Sequence, residues 1–383
     1  MKSISAELKE ALANIIDLGP GQATTLPPEF YTSESFVELE KEEIFRKEWI
    51  CLGRVAEIPK RGDYFTTQLL DEPLIIARGQ DDKIRVLSNV CRHRSSVIVE
   101  GNGNSKHFVC PYHAWTYAND GQLLRAPYMD QIKGFKVEGS HLPELKTEIW
   151  HGFIYVNLDG KAKPLAPRLI GLEPYLKNRH PEDMLVSLVQ EEVWPTNWKC
   201  LAENYMEGYH LSTVHSKELY DITPTRLCEK ILPGEAYTGY KAHYTRKSPQ
   251  QKPYHPNMTP EERRFSMFFW IYPSHTVGIT SNGSASLALQ PRGAGEVFNR
   301  CILSSYEVDA ARPPEARTEG FNKTMDEDRV QLEKIRRGLA SRYVERKPLG
   351  PPDLEGTVWD MYQYMARMLT PKSARRTRLK RAS

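Results

Sequence analysis

Two short Cys/His pairs constrain the fold of this chain more than any other feature of its sequence. The first pair is Cys91-x-His93 and the second is Cys110-x-x-His113, with sixteen residues between them. The intervening segment carries Gly-Asn-Gly-Asn at 101–104, which predicts a turn, and then a strand-like run that leads into Cys110. Because two ligand loops at the tips of adjacent β-hairpins can hold one metal centre, this spacing predicts a small β-rich unit around such a centre.

A zinc site and an iron–sulfur cluster are the two metal centres that these donors can form. Zinc sites more often repeat Cys-x-x-Cys or His-x₃₋₅-His, so the order Cys-x-His argues against zinc. Two cysteines on one iron and two histidines on the other make the Rieske type of [2Fe-2S] cluster. We therefore predict a Rieske cluster, with a zinc knuckle as the alternative. The predicted ligands are Cys91, His93, Cys110 and His113.

A second candidate metal site lies about a hundred residues further along the chain, in the segment ENYMEGYHLSTVH. Glu207 precedes His210 by three residues, and His215 follows it by five. Because residues three or four apart share a helix face, we expect Glu207 and His210 on one face of a helix near 197–210. That helix must break near 211–213 for both imidazoles to reach one metal. Two histidines and one carboxylate with open positions are typical of non-haem Fe(II) oxygenases.

The third ligand of that site must come from another segment. A predicted long helix near 316–342 offers Asp326, Glu327 and Asp328. A charged run of this kind is also typical of a solvent-exposed helix face, and the two histidines taken alone are compatible with ordinary hydrogen-bonded residues. The occurrence of both motifs in one chain favours the metal interpretation for each.

The order of the predicted elements indicates two domains. Helices are predicted at 3–16 and from about Ser33, short strands from about 53 to 157, and a mixed α/β region after a Pro-rich link. In the mixed region we predict strands near 237–245, 266–289 and 298–308, and a last helix at 356–369. The predicted domains are N-terminal helices of the catalytic domain at 1–44, an all-β [2Fe-2S] domain at 45–160, a mononuclear-iron catalytic domain at 161–370 and a basic tail at 371–383.

An aromatic run in the mixed region has two interpretations. Its members are Phe265, Phe268, Phe269, Trp270 and Tyr272. They are suited to line a pocket for a cationic ligand, but alternation along a strand favours ordinary core packing.

Charge and targeting signals narrow the functional classes. Among 383 residues there are 52 basic and 49 acidic ones, and the formal charge of +3 is weak support for nucleic-acid binding. Six basic residues lie in the tail 371–383, and without this tail the charge is −3. Glu7, Lys9 and Glu10 interrupt any apolar N-terminal run, and no stretch approaches eighteen consecutive apolar residues. We expect a cytoplasmic protein with no membrane or nucleic-acid partner.

The chain as a whole resembles the α subunit of Rieske non-haem iron oxygenases, also called aromatic-ring-hydroxylating oxygenases. The motifs that carry the resemblance are Cys-x-His-x₁₆-Cys-x₂-His and, further on, E-N-Y-x-E-x-Y-H-x₄-H. The segments EFYTSESFVELEKEEIFRKEWIC, ENYMEGYHLSTVH and EDRVQLEKIRRGL are most similar to the carnitine monooxygenase and glycine-betaine demethylase group. That group typically has Glu at position 207, as this chain does, whereas aromatic dioxygenases usually have Asp.

The resemblance implies an α+β fold, with an all-β Rieske [2Fe-2S] domain inserted in a helix-grip catalytic domain that has an antiparallel sheet. It implies mononuclear Fe(II) bound by His210, His215 and Asp328. It assigns Glu207 as the carboxylate that bridges two subunits of a homotrimer or hexamer, along the electron route His113···Glu207···His210. Glu203 and Asn204 are expected around this site.

The function that the resemblance implies is that of a terminal oxygenase component. Such a component uses O₂ and takes electrons from NAD(P)H through a separate flavin/iron–sulfur reductase. No G-x-G-x-x-G follows a predicted strand, which also favours a separate reductase. The expected reaction is monooxygenation with N-demethylation or C–N cleavage of a quaternary ammonium or N-methyl compound. Hydroxylation of an aromatic carboxylate is the alternative reaction, and a non-catalytic Rieske electron-transfer protein is the alternative class.

Overall fold

The computed structural model describes residues 5–16, 18–248, 252–308 and 314–370. The predicted basic tail at 371–383 lies outside the described residues. The chain divides into two compact units, one formed by residues 49–163 and the other by residues 1–48 together with 164–383. We call them the β unit and the α+β unit. Among the described residues, no helix combines the length and the apolar character needed to cross a membrane.

The β unit consists of short antiparallel strands. They are β1 (Ile50–Arg54), β2 (Asp63–Leu69), β3 (Glu72–Arg78), β4 (Ile84–Ser88), β5 (Asn102–Asn104), β6 (His107–Val109), β7 (Thr116–Ala118), β8 (Leu123–Arg125), β9 (Glu144–Trp150) and β10 (Phe153–Asn157). Seven strands form a sheet in the order β1-β10-β9-β4-β3-β2-β5, and β6-β7-β8 form a smaller sheet. One core cluster packs Ile75 and Leu87 with Phe108 and with the side chains of Cys91 and Cys110. The two cysteines are therefore part of the hydrophobic core.

The α+β unit is built on a second antiparallel sheet. Its strands are β11 (Leu185–Trp194), β12 (Cys228–Lys230), β13 (Tyr237–His243), β14 (Phe265–Ile271), β15 (His275–Ile279), β16 (Gly283–Gly293) and β17 (Glu296–Ser305). They lie in the order β11-β17-β16-β15-β14-β13-β12. The single strand predicted near 266–289 is wrong, because turns at 272–274 and 280–282 divide it into three strands. Strand β11 was not predicted, although it pairs with β17 along its whole length.

Helices cover this sheet. They are α1 (Ala6–Ile15), α2 (Glu29–Thr32), α3 (Glu34–Glu40), α4 (Leu165–Arg168), α5 (Glu173–Leu176), α6 (Trp198–Met206), α7 (Leu211–Val214), α8 (Pro314–Leu339) and α9 (Pro352–Leu369). Helix α9 packs against α1, β12 and β13, while α6 packs against strands β14 to β17 and against α8. Helix α8 also contacts β11. This arrangement brings α6 and α8 together over one region of the sheet.

The aromatic run in β14 packs into the core. Phe269 and Trp270 are fully buried, and Phe268 stacks on Tyr240 of the neighbouring strand with ring centroids 4.9 Å apart. Of the two interpretations of this run, the structure supports core packing.

Candidate metal centres

The two Cys/His loops of the β unit have the same backbone geometry. The N–H of Cys91 donates to the carbonyl of Ser96 over 2.9 Å, and the N–H of Cys110 donates to the carbonyl of Trp115 over 2.8 Å. In each loop the residue four positions after the cysteine donates back to the cysteine carbonyl and has a positive φ, 56° in the first loop and 55° in the second. Neither residue is glycine, so both loops have a backbone conformation that is uncommon for their sequence.

These loops separate buried thiols from exposed imidazoles. Cys91 and Cys110 are only 3% and 2% exposed, whereas His93 and His113 are exposed and their Nδ1 atoms lie 3.1 Å apart. A single zinc ion needs all four donors around one point. Among the described residues, the groups of three or more donors within 4.8 Å of one another lie elsewhere, so the four loop donors do not converge in this way. A thiol pair beside an imidazole pair fits a two-iron cluster instead.

Neighbouring groups favour the ligand forms of these side chains. Burial raises the pKa of the Cys110 thiol, but hydrogen bonds from the backbone N–H of Tyr112, the Cys91 side chain and the backbone N–H of His113 together outweigh it, and the pKa is lowered. Partial desolvation by neighbouring atoms and the nearby His113 lower the pKa of the exposed His93 imidazole. The hydroxyl of Tyr117 lies 3.3 Å from Cys91 Sγ, within reach for a hydrogen bond. Thiolates and neutral imidazoles are the protonation states that bind metal.

In the α+β unit, Glu207 approaches His210 through a turn and not along a helix face. Helix α6 ends at Met206, and Glu207 has the extended values φ −115° and ψ 150°. The carboxylate of Glu207 accepts the backbone N–H groups of Tyr209 and His210 and also pairs with His210 Nδ1. The predicted helix through 210 and its break near 211–213 are therefore wrong, since the chain leaves the helix at 207.

Packing requires a residue without a side chain at position 208, just after the end of helix α6. A Cβ atom on Gly208 would lie 2.5 Å from Cys228 Sγ, so a larger residue does not fit. Its N–H donates to the carbonyl of Leu354 at the start of α9. These tertiary contacts hold the turn in place and let the next helix, α7, carry His215 back toward α8.

Three side chains converge on one point beside α6 and α8. The donor atoms of His210, His215 and Asp328 lie within 4.8 Å of one another. Asp328 Oδ1 is 3.1 Å from His215 Nε2 and 3.6 Å from His210 Nε2. Asp328 is 5% exposed and His215 is 1% exposed. Two imidazoles and one carboxylate on one side of a small space fit a divalent metal with open coordination positions.

The Nδ1 atoms of His210 and His215, which point away from Asp328, each contact a carboxylate. Glu207 pairs with Nδ1 of His210, and Glu327 Oε2 lies 2.8 Å from Nδ1 of His215. A carboxylate on Nδ1 fixes the tautomer that leaves Nε2 as the free donor. Burial lowers the pKa of His215, but Asp328 and Glu327 outweigh it and the pKa is raised, so protons compete with metal at this ring.

Asn204 and Glu203 differ in their relation to this site. Asn204 Nδ2 donates to Asp328 Oδ1 over 3.2 Å, and its buried Oδ1 has no partner among the described residues. Glu203 instead accepts a hydrogen bond from Tyr31, whose hydroxyl lies 2.6 Å from that of Tyr362. Burial raises the pKa of Glu203 to about 8. Glu203 does not contact the three convergent donors, so its expected place around the site is not found.

A cavity of about 170 Å³ lies where α8 faces strands β11 and β17. Its lining residues are Gln190, Glu192, Trp194, Asn299, Cys301, Phe321, Asn322, Met325 and Asp326. Met325, one of the lining residues, lies about one helical turn before Asp328 on the buried side of α8. Sequence reasoning missed the cavity, because its walls come from three distant segments and carry no motif.

Two family models match the chain. The Rieske [2Fe-2S] domain matches residues 48–136, and the ring hydroxylating alpha subunit (catalytic domain) matches residues 177–371, which is half of the chain. The chain belongs to the ring-hydroxylating alpha subunit family. The family and the predicted fold class are therefore confirmed, and the two matched domains imply a Rieske cluster and a mononuclear iron.

Two relatives of this α subunit are oxygenase subunits of monooxygenases. The carnitine monooxygenase oxygenase subunit of Acinetobacter baumannii is 37% identical over 199 residues, 51% of this chain and 54% of that protein. The glycine betaine monooxygenase oxygenase subunit of Chromohalobacter salexigens is 34% identical over 215 residues, 56% of this chain and 48% of that protein. The match therefore spans about half the length of these curated relatives.

One solved structure aligns over nearly the whole α subunit. It is a quaternary ammonium Rieske monooxygenase, described for carnitine oxidation by gut microbiota and for inter-subunit electron transfer. It has a TM-score of 0.82 and 25% identity, and it covers 96% of this chain and 100% of that chain. The fold is thus shared along nearly the whole chain.

Proposed function

We propose that this α subunit is the terminal oxygenase component of a monooxygenase that acts on a quaternary ammonium or N-methyl compound. The observation that carries the proposal is the convergence of His210, His215 and Asp328 in a chain whose other unit has two Cys/His loops. A pure electron-transfer protein needs no second group of metal donors. The named activities of the carnitine and glycine betaine relatives support this substrate class.

In this proposal the β unit binds the Rieske cluster. Cys91 and Cys110 bind one iron from the core side, and His93 and His113 bind the other from the exposed side. Because His93 and His113 are exposed, a cluster held by these four residues would exchange electrons with a partner through its imidazole edge. The buried indole of Trp115 stacks on the His93 ring with centroids 5.0 Å apart and would keep that imidazole oriented toward the cluster.

The α+β unit binds the mononuclear iron through Nε2 of His210, Nε2 of His215 and a carboxylate oxygen of Asp328. When bound, this iron supplies the site at which O₂ is activated. Glu207 and Glu327 would accept hydrogen bonds from Nδ1–H of His210 and His215 and so keep both rings oriented. Asn204 donates to Asp328 and holds the third ligand in place.

Glu207 is also proposed as the bridge for electrons. One of its oxygens faces His210 Nδ1, and a carboxylate can accept a second imidazole N–H. Inter-subunit electron transfer is described for the related quaternary ammonium monooxygenase. If electrons also pass between subunits in this protein, His113 of one subunit would contact Glu207 of the next subunit in a homotrimer or hexamer. A separate flavin/iron–sulfur reductase supplies the electrons from NAD(P)H, and the expected location is cytoplasmic.

The proposed reaction balances as a monooxygenation. One oxygen atom of O₂ enters a C–H bond beside the quaternary nitrogen, and the other leaves as water after two electrons and two protons are supplied. The hydroxylated carbon then forms a C=O bond while the C–N bond breaks. The products are an aldehyde and a protonated tertiary amine.

The test is O₂ uptake by the purified protein with a reductase and one compound at a time. The compounds are L-carnitine, γ-butyrobetaine, glycine betaine and an aromatic carboxylate. The proposal predicts that one quaternary compound gives equal amounts of aldehyde, tertiary amine and consumed O₂, and that a His210→Ala variant gives none. A diol from the aromatic compound supports ring hydroxylation instead. Electron uptake with no product from any compound supports the electron-transfer alternative.

A further inference from the structure

The α+β unit contains a second group of metal donors. The donor atoms of His180, Asp183 and His255 lie within 4.8 Å of one another, and the two imidazole rings have their centroids 4.3 Å apart. His180 and Asp183 lie just before β11, whereas His255 lies in the segment 252–264 that leads into β14. The proposed oxygenase chemistry does not use these residues, so the group needs a separate explanation.

Hydrogen bonds hold the two donor-bearing segments side by side. The side chain of Arg179 is fully buried and donates to the carbonyls of Thr280 and Glu262 over 3.1 and 2.7 Å. Asn178 donates to the carboxylate of the same Glu262 over 3.0 Å. Because Glu262 belongs to the segment that carries His255, these bonds fix the donors on backbone that is already in place.

The spacing between His255 and Asp183 fits a shared metal ion better than a hydrogen bond. Nε2 of His255 lies 3.5 Å from Oδ2 of Asp183. A hydrogen bond between these groups would be about 2.7–3.2 Å long. In a tetrahedral zinc site with metal–ligand bonds of about 2.0–2.2 Å, two donors lie about 3.4 Å apart. The distances from Asp328 to the two histidines of the candidate iron site, 3.1 and 3.6 Å, fall in the same range.

The contacts of His180 favour the tautomer that binds a metal through Nε2. Its Nδ1 atom lies 3.1 Å from Oε1 of Glu182, and an ionised carboxylate can only accept a hydrogen bond. Its Nε2 atom lies 3.0 Å from Nδ2 of Asn257, which can only donate one. Both contacts therefore place the proton on Nδ1 and the lone pair on Nε2. A carboxylate on the far nitrogen of an imidazole is also typical of histidines that bind metal.

Asn257 contacts both histidines and would be displaced by a metal ion. Its backbone N–H donates to Nδ1 of His255 over 3.3 Å, a long contact that is lost when a metal on Nε2 moves the ring proton to Nδ1. Its side-chain amide occupies the Nε2 lone pair of His180. Once displaced, this amide can turn its Oδ1 atom toward the metal as a fourth ligand.

We propose that His180, Asp183 and His255 form a Zn²⁺ site, with the amide oxygen of Asn257 or a water molecule in the fourth position. Imidazole donors suit zinc and its first-row neighbours, whereas Mg²⁺ and Ca²⁺ favour oxygen ligands. The ion joins the segment before β11 to the segment before β14. Because it binds these residues only where folding brings them together, it stabilises the folded chain. None of its donors belongs to the candidate iron site, so the proposal is independent of the oxygenase function.

The test uses the full-length protein with its Rieske cluster and the substitution Asp328→Ala, which removes one donor of the candidate iron site. Equilibrium dialysis against zinc, followed by metal and sulfide analysis, should give about one Zn²⁺ per chain with the cluster content unchanged. Zinc at about a hundredfold its Kd should raise the melting temperature by about 5 °C. Adding His255→Gln should lower the zinc affinity at least about 100-fold and abolish this rise.

Three further variants of the same protein complete the test. Glu182→Gln should weaken zinc binding about 10- to 100-fold, because it removes the carboxylate behind His180. His243→Gln, at a histidine that pairs with Glu229, is the matched control and should bind zinc as before. Asp183→Asn, at a side chain that is 59% exposed, repeats the ligand test where misfolding of the His255 variant would obscure it. A parent protein that retains no zinc, or equal zinc affinity after both ligand substitutions, overturns the proposal.

Discussion

The Nε2 atom of His215 lies 3.1 Å from Oδ1 of Asp328, while Nδ1 of the same ring lies 2.8 Å from Glu327. Two adjacent residues of α8 therefore hold the two nitrogens of one imidazole. Adjacent helix positions point about 100° apart, so the histidine ring fits between them. In the proposed site, Asp328 is a metal ligand. Glu327 is not a ligand and instead orients the ring of His215.

Replacing Glu327 by Ala should weaken iron binding at the mononuclear site. Without its partner on Nδ1 the ring of His215 loses its fixed tautomer and orientation, and affinity for Fe(II) should fall about 10- to 100-fold. Competition with a chelator, followed by iron analysis, measures the change. Glu333→Ala, at an exposed position of the same helix, is the matched control. If both variants retain iron equally, Glu327 has no orienting role.

Glu207→Gln should keep both metal centres but lose coupled turnover. A Gln side chain still fits the turn, but its NH₂ group is a donor and replaces one of the two accepting oxygens of Glu207, so it cannot accept the turn N–H groups and the imidazole N–H groups on both ends. We expect the substrate-dependent oxidation of the reduced cluster to slow about 10- to 100-fold, with iron and sulfide content unchanged. Stopped-flow absorption of the cluster measures this rate. Glu229→Gln, a surface carboxylate paired with His243, is the control. A normal rate in Glu207→Gln would refute the bridging role.

Glu203 should make the protein less stable as pH rises from 5 to 8. Burial raises its pKa from 4.5 to about 8, so over this range the unfolded chain releases a proton that the folded chain keeps. The free energy of unfolding then falls with rising pH. Glu203→Gln removes this effect, and its stability relative to the wild type should increase between pH 5 and pH 8 in urea unfolding. A constant difference between the two proteins at both pH values would contradict the assignment.

Lys199 and Glu40 form a fully buried ion pair, and replacing only one of the two should lower the free energy of unfolding. Their Nζ and Oε1 atoms are 2.6 Å apart, and Trp198 donates to the other oxygen of Glu40 over 3.0 Å. Lys199→Met leaves a buried carboxylate without its counter-charge, and we expect a loss of about 3–5 kcal/mol in the free energy of unfolding. The double variant Glu40→Leu/Lys199→Met should recover much of it. Lys241→Met, at an exposed pair, should cost less than about 1 kcal/mol.

Local spacing indicates those candidate donors of the two centres that lie close together in the sequence. Cys91 and His93 share one loop, and His210 and His215 flank the four-residue helix α7, so their separation along the chain limits their separation in space. Asp328 was different, since three successive carboxylates were available and only the resemblance selected one. The structure brings that residue within 4.8 Å of both histidines.

The parts that sequence reasoning missed depend on contacts between distant segments. Helix α6 ends at Met206 because Gly208 packs against Cys228, and periodicity alone does not contain that contact. The cavity depends on the pairing of β11 with β17 and on the position of α8, which join residues more than a hundred positions apart. Residues that line it, such as Glu192, therefore carry no local sequence signal.

The most direct test of the central claim, that one chain holds both metal centres, is EPR of the reduced protein before and after addition of nitric oxide. The account predicts a Rieske-type signal before addition and an additional high-spin iron–nitrosyl signal after it. The second signal should be absent from Asp328→Ala, while the first persists. A reduced protein with zinc and no Rieske signal, or a nitrosyl signal that does not depend on Asp328, would contradict it.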